Sequence, residues 1–582
     1  MHDHGIIRRA TVGIAIAFAL GAASLGSQAT PAAADTGPAC GPQGNEPAFA
    51  IASHALGAPQ GAELTLRVTS ASPGCAAPDS LKKVQLKTFA ADGSLSDVRN
   101  LADVAAPGGR AEVGLDPLAL GQLVRAEVLV QTGDPAQTYV LRTSSEVTEF
   151  ALDPSEVIVP SIAGYGGQFN QHVYAKLSSP PVTSTNVLDM EQKVVGLHPQ
   201  LVRIFFNLTD LDPTLPDRMS SFVRTVQLAQ RAGATINVTW QGGGFNNIAG
   251  NMAKFAAVLR DLVQNKGITN LRWVTVQNEP NDPGNKFTMQ QWEAEYRALD
   301  QDIADIRGQV GFMGGDLVQD DQQAWFDYMA EHMSDLLDAW SIHVFWDYWD
   351  TAKLQARLLG VRAIWDAEPA GARKPLYVAE YGVRGIRNFN AKAVFAPGVW
   401  QDGTPMSQTN ASAFQHAWFD ILSARLGYLG TMKWDSYFGK YDNGTQAFYM
   451  MGSPVDGWPL YPVYHTVHLW TTTVKPTWRV VGLDGDSGTK LLTAYSSPGG
   501  ELTLIGLDTS GAQLNTVSST QVTYSIGGLR PSTSFHLLLW NRDGDGLDSA
   551  AGTIASDAVG AATVTAPLHS VFALTTAQVA LP

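Results

Sequence analysis

Two glutamates each follow a short run of strand-forming residues. Glu279 stands in LRWVTVQNEPND, and Glu380 stands in PLYVAEYG. Two carboxyl groups that face one cleft can divide the roles of acid and nucleophile, because each negative charge raises the pKa of its neighbour. Pro280 is expected to end the first of these strands, since proline cannot donate a hydrogen bond to the ladder. The pair predicts acid and nucleophile chemistry if the fold brings the two strand ends together.

Short apolar runs alternate with helical patterns from about residue 153 onwards. In residues 251–266 and 288–307 the apolar side chains recur with the 3.6-residue period of a helix. Eight strand candidates and about eight helix candidates predict an α/β fold, a (β/α)8 TIM barrel over residues 153–472. An open doubly wound sheet is the alternative, but GYGGQF lacks the glycine spacing of its phosphate-binding turn. The strand candidates are SIAGYG, LVRIFFN, ATINVTW, LRWVTVQN, VGFMGGD, WSIHVF, PLYVAEYG and TMKWDSY.

The carboxyl ends of the predicted barrel strands carry polar and aromatic side chains. Catalytic groups of such barrels project from these ends, so the side chains there are candidates for a site. Two carboxylates among such groups meet the needs of glycosidic bond cleavage, in which one protonates the leaving oxygen and the other attacks the anomeric carbon. Besides the two glutamates, the candidates are Arg203, Trp240, Asn278, His343 and Trp434.

The motifs VQNEPND around Glu279 and YVAEYG around Glu380 resemble those of the clan A retaining glycoside hydrolases. This group includes the cellulase-like, β-xylosidase-like and glucocerebrosidase-like families, and the resemblance covers roughly residues 155–470. It implies a TIM barrel that cleaves β-glycosidic bonds in oligo- or polysaccharides by double displacement, without a cofactor. By the same resemblance, Glu279 is the acid/base and Glu380 is the nucleophile.

The resemblance also implies roles for neighbouring side chains. Asn278 would contact the sugar 2-hydroxyl, and Arg203 would lie beneath the nucleophile. His343 would line the site, and Trp434 would form the floor of the sugar subsite. Tyr348 would orient the nucleophile.

Two further stretches are candidates for substrate contacts at the barrel mouth. Trp346 and Trp349 lie in FWDYWD after the sixth strand, and aromatic faces can stack on the apolar faces of sugar rings. Packing of this loop over the barrel rim is the alternative. Trp240 begins WQGGGFNN, a glycine-rich loop that would either shape the pocket or form only a turn.

Alternating strand patterns lie on both sides of the predicted barrel. Apolar and polar residues alternate in AELTLRVTS and VRAEVLVQT, which predicts an N-terminal β-sandwich over residues 35–152. Segments such as ELTLIGLDT and SFHLLLWN predict a C-terminal β-sandwich over residues 473–582. The second sandwich is similar to the accessory domain of the xylosidase-like and glucocerebrosidase-like members.

Residues 1–34 have the pattern of a signal peptide. Arg8 and Arg9 precede an apolar run that is too short to span a membrane, and cleavage is expected near Ala34. The sequence therefore predicts a secreted protein without a membrane span. Export also predicts that the two cysteines, Cys40 and Cys75, form a disulfide.

The charge balance argues against polyanionic partners. The formal net charge is −15 and no long basic run is present, which disfavours nucleic acid and is compatible with a carbohydrate. His465 and His468 are spaced as on one helix face but have no evident third ligand, so no metal site is predicted. Two alternatives to a hydrolase stay open, a non-catalytic carbohydrate-binding protein and a transglycosylase.

Overall fold

A computed structural model describes most of the chain. The described residues are 49–58, 61–70, 76–90, 92–116, 118–131, 138–176, 182–242, 245–282, 284–285, 288–318, 323–386, 398–437, 448–485, 488–511 and 518–579. The predicted signal peptide and the predicted disulfide between Cys40 and Cys75 lie outside these residues. Within the described part, no helix has both the length and the apolar character needed to cross a lipid bilayer.

Seven strands form the N-terminal sheet. They are β1 (Phe49–Ala58), β2 (Gly61–Ser70), β3 (Ser80–Phe89), β4 (Leu95–Ala105), β5 (Arg110–Leu115), β6 (Leu123–Gln131) and β7 (Thr138–Thr148). Their order is β4-β3-β6-β7-β1-β2-β5, and all neighbours are antiparallel except β1 and β7. Apolar side chains from strands in both halves of this sheet pack together in one hydrophobic cluster, as expected of a sandwich.

The next strand, β8 (Phe150–Val159), crosses the predicted boundary at residue 152. It lies neither in the N-terminal sheet nor in the barrel, but in a third sheet, between strands from the C-terminal part of the chain. The predicted division at residue 152 thus falls within β8, whose residues belong to the third sheet. The sequence of a single strand does not indicate which sheet the strand will join.

Eight parallel strands close into a barrel, so the predicted TIM barrel is confirmed. Parallel barrel strands are buried on both faces, and for this reason they appear in the sequence as nearly continuous apolar runs. The strands follow one another around the barrel in sequence order, and β16 pairs with β9 to close it. They are β9 (Gly164–Phe169), β10 (Leu201–Asn207), β11 (Thr235–Gln241), β12 (Leu271–Val276), β13 (Gly311–Leu317), β14 (Ala339–Asp347), β15 (Leu376–Arg384) and β16 (Gly430–Lys433).

One described α-helix follows each barrel strand. The helices are α1 (Val187–Gly196), α2 (Pro216–Arg231), α3 (Ile248–Arg260), α4 (Met289–Asp302), α5 (Gln323–His332), α6 (Thr351–Ala367), α7 (Asn410–Arg425) and α8 (Pro462–Thr473). The start of α4 is fixed by a capping box: the Thr288 hydroxyl accepts the N–H of Gln291, and the Gln291 side chain accepts the N–H of Thr288. This cap sets the position of α4 behind β12.

The third sheet contains nine strands, β8 among them. The others are β17 (Arg479–Asp484), β18 (Lys490–Ser496), β19 (Leu502–Asp508), β20 (Gln521–Gly527), β21 (Ser534–Trp540), β22 (Asp548–Ala555), β23 (Ala562–Pro567) and β24 (Val571–Thr575). Their order is β22-β21-β24-β19-β18-β17-β8-β20-β23.

The barrel and the third sheet share a hydrophobic core. The Tyr165 hydroxyl on β9 lies 2.6 Å from the Tyr495 hydroxyl on β18, and Trp470 Nε1 on α8 donates to the same Tyr495 oxygen at 3.2 Å. Apolar side chains of β17, β18 and β19 belong to the same cluster as the barrel core. Helix α7 lies between the two layers and is buried almost all round. The N-terminal sheet, by contrast, has a core of its own.

Candidate active site

The turn after β12 carries Asn278 and Glu279. Gln277 and Glu279 have positive φ angles, 69° and 49°, which are uncommon for residues other than glycine. Between these two left-handed residues, Asn278 reaches into the barrel, where its Oδ1 accepts a hydrogen bond from Arg203 Nη2 at 2.6 Å. The Glu279 carboxylate stays at the mouth, with Oε1 at 3.0 Å from Nδ1 of His343.

Arg203 is fully buried in the barrel and contacts the second glutamate directly. Its Nη1 donates to Glu380 Oε2 at 2.7 Å, and its Nη2 donates to Asp316 Oδ2 at 2.5 Å. Its Nε donates to Thr239 Oγ1 at 3.0 Å. Charge-assisted bonds of this kind are short and about twice as strong as neutral ones. The guanidinium therefore lies beneath Glu380 in a fixed orientation.

Glu380 faces His343 across two neighbouring strands. The register of β14 with β15 shifts between Ile342 and His343, so that His343 pairs with Glu380. Such an irregularity re-aims side chains near a strand end. His343 Nδ1 lies 3.9 Å from Glu380 Oε2 as well as close to Glu279. One carboxylate oxygen of Glu279 and one of Glu380 lie within 4.8 Å of each other.

A third carboxylate, that of Asp316 at the end of β13, was not among the residues predicted from the sequence. It is fully buried, and it links Arg203 to His343, whose Nε2 lies 3.4 Å from Asp316 Oδ1. The Ser341 hydroxyl donates to the same Oδ1 at 2.7 Å. The signal that could have found Asp316 is the sequence GGD at a strand end, where an ionisable residue follows two glycines.

The buried charges shift each other's pKa values. Burial raises the pKa of Glu380 to about 7; the charges of His343 and Arg203 oppose this rise, and that of Glu279 adds to it. Burial alone would lower the pKa of His343, but the carboxylates of Glu380 and Asp316 raise it to about 9. Burial would raise the pKa of Asp316, but Arg203 and His343 hold it well below its usual range. At neutral pH His343 is therefore an imidazolium, whose Nδ1 is hydrogen-bonded to Glu279 and whose Nε2 forms an ion pair with Asp316.

Trp434 and Tyr348 lie at the same end of the barrel as the two glutamates. Trp434 follows β16, and its ring meets the edge of Phe205 at a centroid distance of 5.8 Å. Phe205 in turn lies against the Arg203 guanidinium, 4.4 Å from its central carbon. Tyr348 packs on Trp400 at 4.5 Å, and its hydroxyl accepts a hydrogen bond from Gln401 at 3.3 Å.

The structure does not bring Trp240 and Trp346 into this group. Trp240 is fully buried and packs on Phe255 of α3 at 5.0 Å, between the barrel and its helices. Trp346 stacks on Phe419 of α7 at 5.3 Å and donates from Nε1 to Gln415 at 2.8 Å. Both indoles point out of the barrel, so we do not assign them to substrate binding.

Glu279, His343 and Glu380 offer donor atoms close enough together to hold a metal ion, within 4.8 Å of one another. The surroundings fit a cation poorly. Arg203 already places a fixed positive charge 2.7 Å from Glu380, and a metal-binding histidine must be neutral, whereas His343 has a raised pKa. The arrangement is suited to acid–base and nucleophilic chemistry.

Comparison with known proteins shows the kind of fold. No family model matches the sequence, and no curated protein matches it either. The catalytic domain of the GH30 xylanase C from Talaromyces cellulolyticus is similar in structure, with 12% identity, a TM-score of 0.54, and coverage of 74% of this chain and 100% of that one. AbfB, a family 51 α-L-arabinofuranosidase from Bifidobacterium longum, has 12% identity, a TM-score of 0.52, and coverage of 74% and 99%.

A glucosidase from Croceicoccus marinus is similar at the same level. It has 13% identity and a TM-score of 0.50, and the match covers 74% of this chain and 99% of that one. At these identities the similarity shows a common fold. The resemblance to the clan A glycoside hydrolases, first indicated by the motifs around Glu279 and Glu380, is thereby confirmed for the fold.

Proposed function

We propose that the protein is a secreted retaining glycoside hydrolase that cleaves β-glycosidic bonds in oligo- or polysaccharides. The observation that carries the proposal is the placement of Glu279 and Glu380. They come from different strands, lie at the same end of the barrel and have carboxylate oxygens within 4.8 Å of each other. Retaining enzymes hold their two carboxyl groups about 5–5.5 Å apart, whereas inverting enzymes hold them about 6.5–9.5 Å apart to admit a water.

In the first step, a carboxylate oxygen of Glu380 attacks the anomeric carbon. The bond between that carbon and the leaving oxygen breaks, and a proton carried by Glu279 passes to the leaving oxygen. Arg203, which donates to Glu380 Oε2 at 2.7 Å, orients the nucleophile and favours its ionised form. His343 holds Glu279 Oε1 at 3.0 Å, which leaves Oε2 to carry the transferred proton.

In the second step, water replaces the enzyme at the anomeric carbon. Glu279, now a carboxylate, takes a proton from the water as its oxygen attacks, and the ester bond to Glu380 breaks. Both glutamates return to their starting states. Two displacements at the same carbon leave its configuration unchanged.

The fold is compatible with this activity. Proteins with the same fold are described as a xylanase, a glucosidase and an α-L-arabinofuranosidase. The motifs around Glu279 and Glu380 add the expectation of a β-linkage, and the net charge of −15 is compatible with a neutral sugar.

A panel of aryl β-glycosides tests the proposal. The wild-type protein should release the aryl group from at least one of them, and NMR at early times should show the β-anomer of the sugar first. Glu380→Ala should abolish turnover, and added azide should restore cleavage with a glycosyl azide of inverted configuration. A first-formed α-anomer would exclude retention. Glu380→Gln should still bind the product sugar, which separates loss of chemistry from loss of binding.

Export is part of the same proposal and has its own test. Arg8, Arg9 and the apolar run that follows support a signal peptide ending near Ala34. Protein recovered from the medium of expressing cells should begin just after this residue, and its Cys40 and Cys75 should resist alkylation unless a reductant is added. Retention of residues 1–34 in the recovered protein would count against export.

A further inference from the structure

Helix α4 holds the end of β12, the strand that leads to the proposed acid/base. Trp292 Nε1 donates to the carbonyl of Val276 at 2.8 Å. The Tyr296 hydroxyl accepts the N–H of Val276 at 2.9 Å and donates to the carbonyl of Met313 at 2.6 Å. The last residue of β12 is therefore fixed from behind by two side chains that lie one turn apart on the helix.

A third residue of the same helix face, Glu295, holds the next residue of the chain. Gln277 Nε2 donates to Glu295 Oε1 at 3.0 Å and to Oε2 at 2.7 Å. Both side chains are buried, and Glu295 is fully inaccessible to solvent. The other end of the Gln277 amide accepts the N–H of Gly242 at 3.4 Å, in the loop after β11. The Gln277 backbone N–H donates to the carbonyl of Trp240 at 3.0 Å.

Burial of Glu295 is unfavourable by itself. A carboxyl group in an apolar setting loses its hydration, and this burial raises the pKa of Glu295 to about 7. Among the described residues, the Gln277 amide is the group that donates hydrogen bonds to the Glu295 carboxyl oxygens. An apolar residue at this position would pack against β12 at lower cost, so stability of the helix does not explain the glutamate.

The hydrogen bonds of Gln277 give a better reason for a glutamate at position 295. In a regular strand the side chain of residue 277 would point to the same side as that of Thr275, which faces Asn237 inside the barrel. Instead, Gln277 has a φ of 69° and its amide is held outside the barrel by α4. That inversion is what lets Asn278 reach Arg203 and lets Glu279 reach His343.

We propose that Glu295 is a positioning residue for the acid/base. By binding the Gln277 amide, it maintains the left-handed turn that places Asn278 on Arg203 and Glu279 beside His343. This inference rests on the proposed function, because it assigns Glu279 the proton transfer. Glu295 lies outside the substrate cleft and acts through Gln277 alone.

The effect of losing Glu295 should depend on the leaving group. A displaced Glu279 delivers its proton poorly, and a displacement of about 1 Å can cost on the order of 10²-fold in rate. A leaving group that departs without protonation does not need that proton, so its release should be spared. Glu380 accepts from Nη1 of Arg203, and Arg203 keeps its bonds to Asp316 and Thr239 when Asn278 moves away from Nη2. The attack by Glu380 should be unchanged.

The experiment compares Glu295→Leu with the wild-type protein on two aryl β-glycosides of the same sugar. For the phenyl glycoside, whose leaving group is poor, kcat/KM should fall about 10- to 100-fold. For the dinitrophenyl glycoside it should stay within about twofold, since the leaving group needs no acid. Glu295→Gln, which can still accept from Gln277, should recover most of the lost activity. Because Glu295 acts through Gln277, adding Glu295→Leu to Gln277→Leu should cause no further loss.

Glu293→Leu is the matched control on the same helix. Glu293 binds Arg297 at 2.7 Å and Tyr328 at 2.6 Å on the outer side of α4, away from β12. The Glu293→Leu variant should lose no more activity on the phenyl glycoside than on the dinitrophenyl glycoside. If Glu295→Leu does not fold, Gln277→Met tests the same link from the other side.

Three results would overturn the inference. Equal losses on the two glycosides in Glu295→Leu or Gln277→Met would indicate general damage to the site. Unchanged activity on both would show that the Gln277 turn needs no support. Failure of the wild-type protein to cleave any glycoside would overturn the proposed function, and this inference with it.

Discussion

Buried hydrogen bonds and ion pairs link the two glutamates through three charged residues. Arg203 joins Glu380 to Asp316, and His343 joins Asp316 to Glu279. Opposite charges alternate along this chain, which keeps each buried ion beside a partner. At the scale of single residues, the site is therefore a connected network in which the removal of one charge affects the rest.

Asp316 provides a test of this network. Removing one partner of a buried ion pair leaves an uncompensated charge, so Asp316→Ala should lower the free energy of unfolding by about 3–5 kcal/mol. Urea denaturation followed by tryptophan fluorescence would measure it. Asp300→Ala, which breaks a surface pair with Arg307 Nε at 2.6 Å, should change that free energy little. Equal effects of the two substitutions would contradict the expectation.

The pH dependence of the first chemical step tests the coupling of the two glutamates. In the proposed mechanism Glu380 attacks as a carboxylate, so kcat/KM for a dinitrophenyl glycoside should rise with pH through the pKa of Glu380, about 7. The negative charge of Glu279 raises this pKa, and Glu279→Gln removes that charge. The midpoint of the rise should therefore move to lower pH. Glu293→Gln should leave the midpoint in place, and a shift to higher pH in Glu279→Gln would contradict the coupling.

At the scale of elements, the barrel strands could be predicted from the sequence but their ends could not. Continuous apolar runs marked all eight strands, because both faces of each strand are buried. At the mouth, however, β13 and β15 shift register against β14, and Gln277, Glu279 and Asp316 take positive φ angles. These irregularities decide which side chains enter the barrel. These register shifts and positive φ angles depend on tertiary contacts, which cannot be predicted from the types of the residues alone.

The positions of Trp240 and Trp346 could have been predicted. Side chains alternate between the two faces of a strand, so Trp240 shares a face with Val238, and Trp346 shares one with Val344 and Ile342. Those apolar residues pack in the core around the barrel. The polar residues of the other face line the lumen. Position at a strand end therefore does not by itself identify a substrate-binding side chain. The alternation of side chains between the two faces of the strand must also be considered.

The segment between β14 and α6 presents Trp349, an aromatic ring that is 57% exposed, close to the barrel mouth. The centroid of its ring lies 5.0 Å from that of Tyr348, and Tyr348 in turn packs on Trp400. If it stacks on a sugar beyond the cleavage point, Trp349→Ala should raise KM for an oligosaccharide about 2- to 10-fold, as expected for a loss of about 0.5–1.5 kcal/mol.

The same substitution should leave an aryl monosaccharide unaffected, because that substrate is too short to reach Trp349. Leu188→Ala, at another exposed apolar side chain on α1, should change neither KM value. A Trp349→Ala variant with wild-type KM for oligosaccharides of increasing length would exclude this contact and favour the rim-packing interpretation of the loop.

At the scale of the whole molecule, the barrel depends on one flanking sheet more than on the other. Side chains of the third sheet complete the core of the barrel, and α7 is buried between the two. The N-terminal sheet has a separate core and reaches β8 through ion pairs, such as Arg67 Nη2 to Asp153 Oδ2 at 2.5 Å. Independent cores generally allow independent folding.

Two deletions test this difference. Removal of residues 1–148 should leave a folded protein whose kcat/KM for an aryl glycoside stays within about twofold of the wild-type value. Removal of residues 479–582 should give aggregated, inactive protein, because it exposes α7 and the apolar residues around Tyr165. Circular dichroism and size-exclusion chromatography would measure both outcomes. Soluble, active protein after the second deletion would contradict the shared core.

The location of β8 has a consequence for synthesis on the ribosome. Val159 of β8 pairs with Val480, so the strand emerges long before its neighbours β17 and β20 have been translated. While the whole barrel is being made, both edges of β8 are open to pairing with other nascent chains. The strand contains Asp153, Pro154 and Glu156, residue types that discourage such pairing. Its composition thus protects the polypeptide during the interval in which its permanent neighbours do not yet exist.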